Sequence, residues 1–159
     1  MSLERIGDNI YERVTLRSGI RVIPVDESGK VLFIREFRTH EKKSRLKLVG
    51  GWMDKEGLSS LEVAREELRE EVSLKARKWK LFHTHNTANA TVEERVDYFV
   101  AEDLEKMEKQ LNPDSDVVEE IVFLDRDGFL KKLQQEKIIW DKDVAVLFMF
   151  WEARRKTNC

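Results

Sequence analysis

Gly50-Gly51, then a loop, then Arg65-Glu66-Glu67-Leu68-Arg69-Glu70-Glu71: this order of a glycine pair and an acidic run is the densest chemical signal in the chain. Glu67, Glu70 and Glu71 are spaced i, i+3 and i+4, so a helix over residues 59–73 places all three carboxylates on one face. Like charges at this spacing destabilise an isolated helix by about 0.2–0.5 kcal/mol per pair, so a cation is expected to offset them. In a chain that is 38% charged, a solvated acidic face is the competing reading. The glycines decide between the two. Without a Cβ, backbone comes close to an ion or ligand, and a carbonyl of Gly50 or Gly51 joins the three glutamates. Hard carboxylate oxygens suit magnesium or manganese. Such ions keep waters and bridge to substrate phosphates, which points to a diphosphate substrate.

Ser59 or Ser60 caps this helix, and Leu61, Ala64, Leu68 and Val72 form its apolar stripe. Upstream, residues 12–25 and 30–38 carry β-branched and aromatic residues around the turn Asp26-Glu27-Ser28-Gly29 and read as a hairpin. The run from Val31 begins as a continuous apolar segment, as expected of a strand buried on both faces. Residues 39–45 are polar and read as a loop, after which Leu46, Leu48 and Val49 make a short strand into the glycines. Downstream, residues 78–86 and 95–101 alternate as strands, joined by the loop Asn86 to Glu94. Asp103 to Gln110 reads as a helical turn broken at Asn112-Pro113-Asp114, and Glu120 to Leu124 as a strand. Helices follow over 126–135 and 141–155, with Trp140 and Trp151 as core residues. Strands on both sides of a central helix, with a helical finish, predict an α/β (α+β) fold: a mixed β-sheet with helices packed on it.

A length of 159 residues suits one domain, spanning 1–159. Acidic and basic residues nearly cancel, at a formal net charge of -2, so no electrostatic case exists for a nucleic-acid partner. Cys159 is the single cysteine, which rules out an intrachain disulfide and fits a reducing, cytoplasmic setting. No run approaches the roughly 18 apolar residues of a membrane span, and the amino terminus lacks a signal-peptide pattern. His83 and His85 alternate on one strand face without a third nitrogen or sulfur partner, which argues against zinc.

The glycine pair and the run Glu67, Leu68, Glu70, Glu71, Leu74 resemble the box of the Nudix hydrolases. That box runs Gly, five residues, Glu, seven residues, then Arg-Glu-hydrophobic-x-Glu-Glu-x-Gly-hydrophobic. Further blocks, in order, resemble the ADP-ribose pyrophosphatase-like branch: Ile34-Arg35-Glu36-Phe37-Arg38, Glu93-Glu94-Arg95-Val96 with Phe99-Val100-Ala101, Asp116 to Ile121, and Ile138 to Phe148. The resemblance covers about residues 14–150 and implies a mixed sheet sandwiched between helices. It implies a metal-dependent pyrophosphohydrolase that cleaves a nucleoside diphosphate joined to a second group, with an ADP-sugar-like substrate favoured. The alternative is a Nudix-fold protein that has lost catalysis and binds a nucleotide, ligand or protein.

The residue roles follow from the same resemblance. Gly51, Glu67, Glu70 and Glu71 would hold Mg2+ or Mn2+; Glu70, Glu94 and Glu119 would serve catalysis, with Glu93 and Glu120 as register alternatives. Arg38 would grip a phosphate and Trp52 would meet the base. A homodimer is expected from the branch, with the apolar strand 31–37 offered as part of its interface. The box also departs from its pattern: its first glutamate falls on Leu58, its arginine on Glu66 and its late glycine on Ser73. Glu56 stands as a substitute for the first, and Arg65 or Arg69 as substitute cations for the second.

Overall fold

Val31, Leu32, Phe33 and Ile34 are all fully buried, and their alternation explains the layering of the molecule. Val31 and Phe33 point into one core with Phe129, Leu147 and Trp151; Leu32 and Ile34 point into another with Val63, Ala64 and Leu68. A strand whose successive side chains face opposite sides can do this only if both faces are covered. The computed structural model describes residues 2–6, 9–39, 41–88, 91–108, 118–135 and 141–157. The expected breaker Asn112-Pro113-Asp114, the start of the acidic block at Asp116, and Trp140 lie outside the described residues.

In chain order the elements are β1 (Ser2–Ile6), β2 (Asn9–Thr15), β3 (Gly19–Pro24), β4 (Val31–Arg38), β5 (Lys43–Lys47), α1 (Ser60–Val72), β6 (Leu74–Ala88), β7 (Val92–Lys106), β8 (Val118–Leu124), α2 (Arg126–Gln135) and α3 (Asp141–Thr157). One sheet runs β1-β2-β7-β3 with β6 also paired to β7; the other runs β5-β4-β8. β3 runs parallel to β7, whereas β6 is antiparallel to it. Helix α1 covers one side of the strands, and α2 and α3 cover the other, so the predicted mixed α/β sandwich is the observed architecture.

Four local expectations are corrected. The turn at Asp26 forms, with its carboxylate accepting from the Ser28 and Lys30 N–H groups at 2.9 and 2.8 Å. The flanking strands do not form a hairpin, however. Beyond the Val25–Val31 bridge they part, β3 to the β7 sheet and β4 to β5 and β8. Both are apolar on two faces, so each gains more by lying inside a sheet than by pairing with the other. The single strand expected over 12–25 breaks at Leu16 to Ser18, where the register against β7 shifts by one residue. Residues 43–45, expected in the loop 39–45, belong with Leu46 and Lys47 to an edge strand; only Leu46 is buried there, and charged residues suit an edge. The helical turn at 103 is instead the end of β7, which β6 pairs as far as Lys106 and which is tied to α1 by Met107 N–H donating to Ser73 O at 2.9 Å.

The apolar strand offered as a subunit interface also changes role. β4 lies between β5 and β8 with residues 31–34 fully buried, so that run is spent inside the subunit. Trp151 is buried as expected.

Helix α1 starts at a capping box: Ser59 Oγ accepts from Glu62 N–H, and the Glu62 carboxylate accepts from Ser59 N–H at 2.8 Å. Val63, Ala64, Leu68 and Val72 are its buried face, with Leu61 half-buried beside them. It ends at Ser73, which is left-handed at φ 53 and ψ 41 and whose N–H reaches Arg69 O at 3.0 Å. A glycine fits that conformation without a Cβ clash, so the departure at Ser73 carries strain. A left-handed residue with a Cβ costs about 1–2 kcal/mol, and glycine returns part of that as chain entropy. Ser73→Gly is therefore expected to raise stability by about 0.5–1 kcal/mol. Urea unfolding read by circular dichroism measures this, and unchanged midpoints would show that Ser73 carries no such strain.

Candidate active site

Gly50 and Gly51 lie where the chain crosses from β5 to α1; a side chain at Gly50 would meet fixed backbone, and one at Gly51 would push the Glu67 carboxylate aside. A Cβ at Gly51 would fall 2.3 Å from Glu67 Oε1, and one at Gly50 would fall 2.3 Å from the Ile20 carbonyl. The α1 carboxylates thus pack directly on glycine backbone, as the sequence predicts. Gly50 N–H donates to Glu71 Oε2 at 3.0 Å, while Gly51 O accepts from Ile20 N–H at 2.9 Å. The Gly51 carbonyl expected at a metal is therefore already engaged with β3.

The cations around the helix are lysines. Lys47 Nζ donates to Glu71 Oε1 at 2.8 Å and also pairs with Glu36, whose side chain is 1% exposed. Lys55 Nζ donates to Glu66 Oε2 at 2.7 Å and stands 3.3 Å from Glu70 Oε1. The cation expected at Arg65 or Arg69 is thus Lys55, from the loop, and it answers Glu66 and Glu70 together. Sequence reasoning missed Lys47 and Glu36. Their signal was a lone charge between Leu46 and Leu48, and a carboxylate ending an apolar strand.

The charges respond to this packing. Burial opposes ionisation of Glu36, yet Lys47 and Arg38 together hold its carboxyl below the ordinary value. Burial likewise works against Lys47, but Glu71 and Glu36 outweigh it and keep the ammonium protonated. Glu71 is raised, chiefly by burial, with Lys47 and the Gly50 N–H opposing. Glu67 is pushed up to about 7, by burial first and by the neighbouring Glu71 charge second. Glu67 and Glu71, one turn apart in α1, share a face. Even so, among the described residues no group of three acidic, histidine or cysteine side chains converges closely enough to hold a metal ion. The donors do not fit a ready-made divalent site: ammonium groups already take Glu70 and Glu71.

The remaining predicted residues divide. Arg38 donates to Glu36 Oε1 at 2.8 Å, and its Nε is buried without a hydrogen-bond partner among the described residues, so its guanidinium is held beside the cluster. Glu119 is exposed on β8, opposite the Arg35–Glu36 irregularity of β4, and so lies on the same flank. Glu120 is bound to Arg35 at 3.0 Å. Glu94 belongs elsewhere: it pairs with Lys142 of α3, beside a buried network in which Tyr98 donates to Asp143 Oδ1 at 2.6 Å and Arg21 stands 3.5 Å from Asp143. Gly50 separates this network from the α1 glutamates, since its Cβ would fall 3.0 Å from Arg21 Cδ. Trp52 is 42% exposed and bridges backbone to Gly19. Beside it lies a cavity of about 440 Å³ lined by Arg17, Ser18, Gly19, Met53, Ser60, Arg95 and Asp97. Leu58 is half-buried against the α1 core, which explains its apolar character, and Glu56 is exposed on the loop. Two cavities of about 610 and 580 Å³ lie around the β3–β4 turn and contain no residue of α1.

The NUDIX domain pattern matches residues 15–144. The chain belongs to the NUDIX family. It is 24% identical over 135 residues to an ADP-ribose pyrophosphatase of Bacillus subtilis (strain 168), covering 85% of this chain and 72% of that protein. Its fold is similar to the crystal structure of an ADP compounds hydrolase, with a TM-score of 0.76 at 23% identity, covering 94% of this chain and 80% of the other. The family pattern thus runs from the end of β2 into α3 and includes both the glycine pair and α1.

Because the Glu67 carboxyl is raised in the folded NUDIX domain, folding takes up protons there. Its contribution to stability falls as pH rises from about 4.5 to about 7 and is level above that. Raised Glu71 and Asp143 act in the same direction, whereas lowered Glu36 acts oppositely, its contribution being lost as pH falls. In metal-free protein, Glu67→Gln should flatten the fall in thermal midpoint across that window. Parallel melting-point curves for the two proteins would refute the assignment.

Proposed function

We propose that this protein is a pyrophosphohydrolase that cleaves the diphosphate linkage of a nucleoside diphosphate joined to a second group, an ADP-sugar-like compound being favoured. The observation that carries the reading is the NUDIX pattern lying over a helix whose Glu67 and Glu71 pack on the Gly50-Gly51 backbone, with Glu70 on the same helix beside Lys55. Both named relatives act, by their names, on ADP-linked compounds. Arg38, whose side chain is 26% exposed, supplies a guanidinium for the diphosphate, and exposed Trp52 offers a ring face to the base. Glu119 is better placed than Glu94 to act as base, being exposed on the cluster's flank while Glu94 is tied to Lys142. Mg2+ or Mn2+ is the proposed cofactor, with Glu67, Glu70, Glu71 and a Gly50 or Gly51 carbonyl as its ligands; when bound it would neutralise diphosphate charge and activate water. A cytoplasmic setting belongs to the same proposal; no described helix is long and apolar enough to cross a membrane.

The second reading, a NUDIX-fold protein that binds a nucleotide or a protein without turnover, is favoured by Leu58, by Glu66, and by the lysines on Glu70 and Glu71. A panel of ADP-linked and other nucleoside diphosphate compounds, assayed for nucleoside monophosphate release with magnesium or manganese, separates the two. Turnover is expected, and Glu119→Gln, at the proposed base, should lower kcat by roughly 10²–10⁴-fold. Binding without turnover across the panel would leave the second reading.

A homodimer belongs to the proposal as well. The ribbon of β1 and β2 joins the main sheet through Val14–Val92 and Thr15–Glu93 only, among the described strand pairings. A two-stranded ribbon alone is marginal in water, so cover from a second copy would steady it. Light scattering at micromolar concentration should report twice the chain mass, and a monomer there would count against the dimer.

A further inference from the structure

We infer that Lys47 and Lys55 are resident counter-cations of the α1 carboxylates, so that a divalent ion reaches Glu70 and Glu71 only by displacing ammonium groups. The inference rests on the proposed hydrolase site, since it concerns how that site admits its metal. Both Glu71 oxygens are in use, Oε1 by Lys47 at 2.8 Å and Oε2 by the Gly50 N–H at 3.0 Å. Both Glu70 oxygens face Lys55, at 3.3 and 3.4 Å. Glu67, pressed against Gly51, is the one of the three that no lysine holds among the described residues. Two ammonium groups bring the charge of one divalent ion, and they bring it from β5 and from the loop before α1, the two segments that flank the glycine pair.

The two lysines differ in how firmly they hold. Lys47 is 12% exposed and bridges Glu71 to Glu36, which is 1% exposed. Burial on this scale disfavours an ammonium, so it persists only because two carboxylates face it. When a metal takes Glu71, Lys47 keeps Glu36 as partner, so its displacement is a swing between carboxylates and not an expulsion into solvent. Lys55 is 35% exposed and its pairs with Glu66 and Glu70 are open to water, so this latch is the weaker one. Glu70 and Glu71 therefore keep cationic partners without metal. A metal ion must offer more than the lysine does at each carboxylate, which lowers its net affinity and makes Lys47 the main determinant of that affinity.

Calorimetric titration with manganese alone tests this on wild type, Lys47→Met, Lys55→Met and the double variant Lys47→Met with Glu71→Gln. Lys47→Met should bind manganese roughly tenfold tighter or more, as expected on removing one competing charge from a partly buried site. Lys55→Met should gain less, and Glu71→Gln should cancel the Lys47→Met gain. Metal-free Lys47→Met should melt below wild type and recover with manganese, while wild type shifts less. Lys47→Gln, which keeps a hydrogen-bond donor without the charge, serves if Lys47→Met does not fold by circular dichroism. Equal affinity in wild type and both Lys47 variants, a gain that survives Glu71→Gln, or no manganese binding by any of them would overturn the inference. Turnover with a flat affinity order sinks the inference and leaves the hydrolase; tighter binding in Lys47→Met without turnover in any protein does the reverse.

Discussion

The Gly50 N–H meets Glu71 at 3.0 Å, and everything near the site depends on that contact being made without a side chain in the way. The same glycine lies against the Ile20 carbonyl on one side and Arg21 on the other, so its Cα is the thinnest point between two buried charged groups. On one side are Glu71, Lys47 and Glu36; on the other are Arg21, Asp143 and Tyr98. Burial raises both the Tyr98 hydroxyl and the Asp143 carboxyl; Tyr98 donates to Asp143 Oδ1, while Oδ2 is left buried with only Arg21 at 3.5 Å to face it. Buried ion pairs of this kind add little net stability but are costly to break from one side, so they fix where α1, β3 and α3 sit relative to one another.

The layering puts the site at that seam. β3, β4 and β7 each send alternate side chains to the α1 core and to the α2–α3 core. A polar residue on such a strand has no solvent face, so Arg21, Glu36 and Asp97 are buried with partners instead of exposed. Arg21 is drawn to the α3 side and Glu36 to the α1 side. The chain between β5 and α1 crosses the end of the sheets at Val49 to Trp52, bridging β3 at Val22 and Gly19 on the way. Carboxylates from α1 and donors from both sheets consequently meet at one edge of the sandwich.

Charge balance there is local. Glu66, Glu67, Glu70 and Glu71 would repel in a bare helix, and the replacement of the box arginine by Glu66 adds to that. Lys55 donates to the extra carboxylate and Lys47 to Glu71, so the substitution is matched by cations from outside the helix. Glu67 is left without a lysine partner among the described residues, and burial together with the Glu71 charge pushes its carboxyl up to about 7.

What the sequence determined by itself was the local and the periodic. The i, i+3, i+4 spacing of Glu67, Glu70 and Glu71 put them on one face because helical geometry allows nothing else, and Ser59, Glu62 and the apolar stripe marked where the helix starts and how it lies. The apolar run at β4 announced a strand covered on both faces, and Gly50-Gly51 announced close packing. Pairing partners were not legible. The turn at Asp26 looked like a hairpin because a turn is written in four residues, whereas the choice between β7 and β8 as neighbours depends on chain far away. The polar residues 43–45 looked like a loop because an edge strand needs only one buried side chain. Lys47 and Lys55 could be read as surface charges, since the carboxylates they neutralise lie 24 and 11 or more positions away, and proximity of that kind exists only once the sheets and α1 have packed.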